Sequence, residues 1–189
     1  MGISRAERLY RRLEELGIID LLKQEVEHQK LENAGYMPLS YNWSHPSYYD
    51  IKTPPPWSNG REVGDLHYFI LEHNFVQNGD LCVDPRIDFR VDMKNRRAEA
   101  ISFEMAMPPV YQAPYQHSRG TTPFLTKTYR DINAFALTWT SNLLDQGFRF
   151  SLPQGAPEEA PAAPAETKTP KTPEAPDTPL ELQDFELSW

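Results

Sequence analysis

A chain of 189 residues with a formal charge of −8 is long enough to bury one core, and its acidity argues against coating nucleic acid through bulk positive charge. Its one cysteine, Cys82, excludes an intrachain disulfide and a cysteine-rich zinc site. No apolar run approaches the roughly 20 residues of a bilayer span, and Met1-Gly-Ile-Ser-Arg-Ala lacks an apolar signal core, so a cytoplasmic protein without membrane attachment is expected.

Ser4 is placed to cap a first helix, in which Leu9, Leu13 and Leu16 recur at helical spacing until Gly17 stops it. A second helix is expected from Ile19 to Lys30, with Leu22 and Val26 on its buried side. Arg5, Arg8 and Arg12 share one face of the first helix, where Glu7, Glu14 and Glu15 dilute their field. Gly35 to Tyr41 reads as a short strand, and Pro38 favours an edge position for it. Asn42 to Arg61 reads as a loop rich in aromatic residues: Trp43, Tyr48, Tyr49 and Trp57. Its rings either cover the edge of the core or bind something.

The run Leu66 to Val76 meets Asn78-Gly79, the strongest short signal for a two-residue hairpin turn. Val76 then opposes Leu81. Continued, the register pairs Ile70 with Ile87, Tyr68 with Phe89 and Leu66 with Val91, unless a bulge at Asp84-Pro85 shifts it by one. A third strand carries Ile101, Phe103 and Met105. A loop of Lys94-Asn95-Arg96 would set Phe89 opposite Ile101, Ile87 opposite Phe103, and Arg86 opposite Glu104 as an ion pair. The last helix is expected over 124–146, with Thr122 as cap and Gly147 as terminator. Its stripe of Tyr129, Ile132, Phe135, Ala136, Trp139 and Leu143 suits the helix that covers the sheet.

These elements define an α+β fold: an antiparallel sheet of three to four strands with N-terminal helices and a long C-terminal helix packed on it. One domain is expected over 1–152, with helices within 4–30, the sheet over 36–106 and the helix over 124–146. Residues 153–179, built from Pro, Ala, Glu, Thr and Lys, read as a disordered linker. The last ten residues, 180–189, read as an acidic–aromatic recognition peptide. Leu182, Phe185 and Trp189 share a face if it is helical; Phe185, Leu187 and Trp189 align if it is extended.

The expected register leaves one candidate surface site opposite the core: His67, His73, Asp84, Arg86, Asp88, Arg90 and Glu104. Three readings compete there. A divalent ion would suit the imidazoles and carboxylates, although six positions along a strand separate the two histidines by about 20 Å, too far for one ion. His73 opposite Asp84 would make an oriented imidazole for acid–base work, with no nucleophile beside it. The third is an open face whose charges pair with one another or dock a partner. No catalytic residue, metal or cofactor is assigned, and turn chemistry accounts for Asn78, Gly79, Asp80, Asp84 and Pro85 better than a calcium loop.

Several segments together resemble an uncharacterised bacterial family known only as a domain of unknown function (DUF6908-like), found on plasmids, conjugative elements and phages. They are Gly35-Tyr-Met-Pro-Leu39, His73-Asn-Phe-Val-Gln-Asn-Gly-Asp-Leu81, Asp84-Pro-Arg-Ile-Asp-Phe89 and Asp131-Ile-Asn-Ala-Phe-Ala-Leu-Thr-Trp139, with Asn142 and Gln146-Gly-Phe148. The resemblance spans Leu31 to Phe148 and implies a shared fold in a mobile-element setting, with no reaction attached. The expected function is a non-enzymatic interaction protein, an accessory or counter-defence factor that binds a host or element protein through its tail. The alternatives are a nucleic-acid-binding accessory protein, using Arg5, Arg8, Arg12 and the loop aromatics, or an unrecognised enzyme using the His/Asp face.

Overall fold

The computed structural model describes residues 2–51, 53–58, 60, 62–115 and 124–153. The expected linker after Pro153 and the partner-binding residues Leu182, Phe185, Leu187 and Trp189 lie outside the described residues.

Helix α1 is Arg5–Glu15, and its cap is the expected one: the Ser4 side chain accepts from the Glu7 amide at 3.2 Å. Leu9, Tyr10 and Leu13 are buried. Gly17 adopts φ +84° and turns the chain straight into α2, Ile18–Lys23. A side chain at Gly17 would collide with the Phe150 carbonyl oxygen, so the corner needs glycine on two counts. Helix α2 stops well short of Lys30. Glu25 takes a left-handed conformation and His28–Leu31 becomes strand β1, because the outer edge of the next strand offers it backbone partners. That next strand, β2 (Leu39–Ser44), is therefore interior rather than an edge, and Pro38 simply precedes it.

Strands β3 (Leu66–Gln77), β4 (Asp80–Asp92), β5 (Arg97–Met105) and β6 (Val110–Gln112) complete an antiparallel sheet of six strands in chain order. The sheet is wider than the three to four strands expected. Strand β1 came from a segment with helical spacing and β6 from a proline-rich connection, and neither carries a strong strand pattern of its own.

The hairpin turn is where it was expected: Val76 faces Leu81, and Asn78 and Gly79 both have positive φ. The register then shifts by one at Asp84-Pro85, where β4 carries an extra residue. Phe69 faces Phe89, Leu71 faces Ile87 and His67 faces Val91, so the pairings of Ile70 with Ile87, Tyr68 with Phe89 and Leu66 with Val91 do not form. On the other side of β4, Arg86 faces Glu104 and Ile87 faces Phe103 in the expected register, but the ion pair of Arg86 is with Asp88, two residues along its own strand, instead of the expected one with Glu104. A second bulge past Asp88 places Phe89 against Ala100 instead of Ile101, and Asp92 pairs with Arg97, which makes the turn four residues, 93–96. The buried Asp92 carboxylate explains that longer turn. It accepts from the Asn95 amide at 2.9 Å and the Gly64 amide at 3.0 Å, a cap a three-residue loop has no room for.

One face of the sheet is sealed by helices. Phe69 and Phe89 stack at 4.8 Å in a core that includes Leu39, Tyr41, Leu71, Ile87 and Val91, under Leu13, Ile19 and Leu22 of the N-terminal helices. Helix α3, Thr126–Asp145, adds Ile132, Ala136, Trp139 and Leu143 from the expected stripe. Its expected cap, Thr122, lies outside the described residues. Phe135 stays partly exposed but meets Phe103 edge-on at 5.0 Å. Gly147 then turns the chain, Phe148 and Phe150 enter the core, and the Phe150 amide donates to the Leu16 carbonyl at 2.8 Å.

Candidate functional site

The opposite face of the sheet is covered by loops. The Asp84-Pro85 bulge turns Tyr68 and Ile70 to this side, above Arg86, Asp88 and Arg90 of β4, with Glu99, Ile101 and Ser102 of β5 beside them. At its deep end Arg90 and Glu99 are almost wholly buried, at 1% and 0% exposure. The guanidinium grips Glu99 through Nε and Nη2, donates from Nη2 to the Tyr115 hydroxyl at 2.8 Å, and donates from Nη1 to the Thr53 carbonyl at 3.3 Å. Tyr115 donates in turn to the second Glu99 oxygen at 3.1 Å, and the Tyr129 hydroxyl also bonds to this carboxylate. Burial pushes the Glu99 carboxyl upward, against the opposing pull of Arg90. The cluster fastens both the loop before β3 and the segment after β6 onto the sheet.

Further out, the sheet and the loops enclose an open cleft of about 470 Å³. Its floor carries Arg86 and Asp88. The Asp88 carboxylate accepts from the Tyr49 hydroxyl at 3.1 Å and from Arg86 Nε at 3.2 Å. Tyr49 is itself anchored by stacking on Tyr68 at 4.8 Å. Trp43, Tyr48 and Tyr111 line the cleft, and the last two are 79% and 69% exposed. Burial raises the Tyr111 phenol above its ordinary value, and the nearby Asp88 and Glu104 carboxylates raise it further.

The seven expected site residues divide accordingly. Arg86 and Asp88 face the cleft, Glu104 lies between Arg86 and Tyr111 in the strand register, and Arg90 is locked beneath. Asp84 sits at the bulge. Both histidines leave the group, since the one-residue shift turns them to the helix side. His73 is buried against Trp139 and Phe148, at 5.6 and 5.8 Å, and its Nδ1 donates to the Pro38 carbonyl at 3.0 Å. Desolvation lowers its affinity for a proton. The expected His73–Asp84 acid–base pair is therefore not assembled on an open face. His67 lines a separate groove with Leu22, Glu25 and Trp43. Among the described residues no three His, Cys, Asp or Glu side chains come together as an ion site.

The residues that the sequence reading missed are Tyr111, Tyr115 and Glu99, while Tyr49 was named only among the loop aromatics. The Glu99 signal was present in the turn: a four-residue loop sets it opposite Arg90, whereas the expected three-residue loop sets Ala100 there. The arginines of α1 are elsewhere. Arg8, Arg11 and Arg12 line a groove of about 550 Å³ against Leu137, Ser141 and Asn142 of α3, with Arg11 paired to Glu7 and Arg12 to Glu15. The sheet separates them from Tyr48 and Tyr49, so the two halves of the nucleic-acid reading do not share a surface.

Residues 56–149 match the family model described as a domain of unknown function, DUF6908. This stretch runs from just before β3 through α3, a narrower span than the resemblance from Leu31 onward. Within the cleft it takes in Arg86, Asp88, Ser102 and Tyr111 on the DUF6908-like segment, while Trp43, Tyr48 and Tyr49 fall before it. No curated protein and no solved structure matches the chain. Among the described residues no helix is long and apolar enough to cross a membrane.

Proposed function

We propose that this chain is a non-enzymatic interaction protein that receives a segment of a partner protein in the cleft over the loop-covered face of the sheet. What supports the reading is the make-up of that cleft: exposed tyrosine rings at its rim over a floor with few, already oriented polar groups. Tyr and Trp give large contact area at little entropic cost, the mixture that recognition sites favour. On sequence grounds a second contact belongs to the tail, through Leu182, Phe185, Leu187 and Trp189. The setting we infer from the sequence resemblance is a bacterial phage or plasmid, with the protein as an accessory or counter-defence factor. The partner is then a host or element protein met in the cytoplasm.

Affinity capture from a bacterial host tests this. The full chain, the double variant Tyr48→Ala/Tyr111→Ala and a chain lacking residues 180–189 are compared. Loss of the partner in both variants, with melting temperatures unchanged, is the expected outcome. Retention of the same partner by the tyrosine double variant removes the cleft from the proposal.

A further inference from the structure

The charge around the cleft is unbalanced. Arg86 is its one cation among the described lining residues, and it is already engaged by Asp88 through Nε. Glu104 faces Arg86 on one neighbouring strand and Glu72 faces it on the other, so three carboxylates surround one guanidinium. These charges act on both Arg86 and Tyr111: Asp88, Glu72 and Glu104 favour the protonated guanidinium, and Asp88 and Glu104 disfavour ionised Tyr111. The rings exposed above this field are electron-rich. Tyr48 and Tyr111 present most of their surface to solvent. A surplus of carboxylate below aromatic faces attracts a cation twice, through Coulomb attraction and through the ring quadrupoles.

We propose that the cleft selects a positively charged side chain, an arginine or lysine carried by the protein partner, held between Tyr48 and Tyr111 above Asp88 and Glu104. This rests on the cleft being the recognition surface and adds which chemistry it recognises. An anionic group would face three carboxylates against the one guanidinium among the described lining residues. A purely apolar group would desolvate the charged floor of Arg86 and Asp88 while offering nothing to its surplus negative charge. A planar guanidinium satisfies both demands, stacking on a ring while donating from its edge.

The test uses the full chain and three small probes: N-acetyl-arginine methylamide, its neutral counterpart N-acetyl-norleucine methylamide, and anionic N-acetyl-glutamate methylamide. Amide NMR shifts at Ser44, Ser102 and Ala113 report on the cleft. The arginine probe is expected to move them saturably and the other two are not. Glu104→Gln, which leaves the Arg86–Asp88–Tyr49 contacts in place, is expected to weaken arginine binding about fivefold, and Tyr111→Ala by a similar factor. An arginine probe that leaves these amides unmoved, or a norleucine or glutamate probe that moves them equally, overturns the charge assignment. The broader reading fails separately: the partner captured from the host survives Tyr48→Ala/Tyr111→Ala while arginine still shifts the amides of the unaltered chain.

Discussion

Arg90 and Glu99 carry opposite charges across β4 and β5 with almost no access to water. Such a pair is tolerated because each guanidinium nitrogen and each carboxylate oxygen has a partner, among Thr53, Tyr115 and Tyr129 as well as the opposite member. Removing one member strands the other. Glu99→Ala is expected to cost about 3–5 kcal/mol of folding stability by urea denaturation, whereas Arg90→Met with Glu99→Leu recovers much of that loss. A single-variant cost below about 1 kcal/mol would show that the pair is not charged in the folded chain. His73 makes a pH argument instead. Burial lowers its folded pKa below the ordinary 6.5, so the unfolded chain takes up the proton first as pH falls. The stabilisation from neutral His73 is complete above that value and is lost as pH drops through the lowered folded pKa. The melting temperature should fall between about pH 7.5 and about pH 5.5, and His73→Asn, which keeps a donor for Pro38, should flatten that fall.

Helix α3 does more than cover apolar surface. Strand β6 pairs with only the end of β5, from Phe103 to Met105, which leaves Ala100 without a strand partner on that edge. Asn133 fills the gap: its Oδ1 accepts from the Ala100 amide at 2.8 Å and its Nδ2 donates to the Ala100 carbonyl at 3.0 Å. A side-chain amide here stands in for a neighbouring strand. Asn133→Ala should leave both buried backbone groups unpaired and cost about 2–4 kcal/mol. The Ala100 amide should also exchange its hydrogen markedly faster in the variant. Exchange at Ala100 that stays as slow as in the parent chain would show that the clasp contributes little. The β3–β4 hairpin is the contrasting element. Its end runs past the helix-backed core with Val76 and Leu81 facing each other at 70% and 71% exposure, so its alignment is held by the Asn78-Gly79 turn and the ladder rather than by burial.

At the scale of the whole molecule, the sheet has two unlike sides. Helices and the Phe148–Phe150 segment close one of them, while loops, joined at the deep end by Tyr129 of α3, cover the other and leave a cleft. A rigid, helix-backed sheet with a loop-covered face is a sound platform for recognition, since loops can vary without disturbing the core beneath. The match to DUF6908 ends within this cleft: its charged floor lies inside 56–149 and most of its aromatic lip before it. We expect the floor to be the more general part of the site and the lip, with Trp43, Tyr48 and Tyr49, to hold what is particular to this chain.

By itself the sequence determined the local features: the Ser4 cap, the Gly17 stop, the Asn78-Gly79 turn and the α3 stripe. Each depends on neighbours a few positions away or on the geometry of one hairpin. Tertiary structure decided the rest, because a strand alternates faces with every residue. One extra residue at Asp84-Pro85 sent His67 and His73 to the helix side and brought Tyr68 and Ile70 to the cleft side. Another past Asp88, with a turn capped by Asp92, joined Arg90 to Glu99. The strand role of His28–Leu31 and the gathering of distant tyrosines likewise followed from which edges and faces the folded sheet left open. No local pattern encodes that outcome.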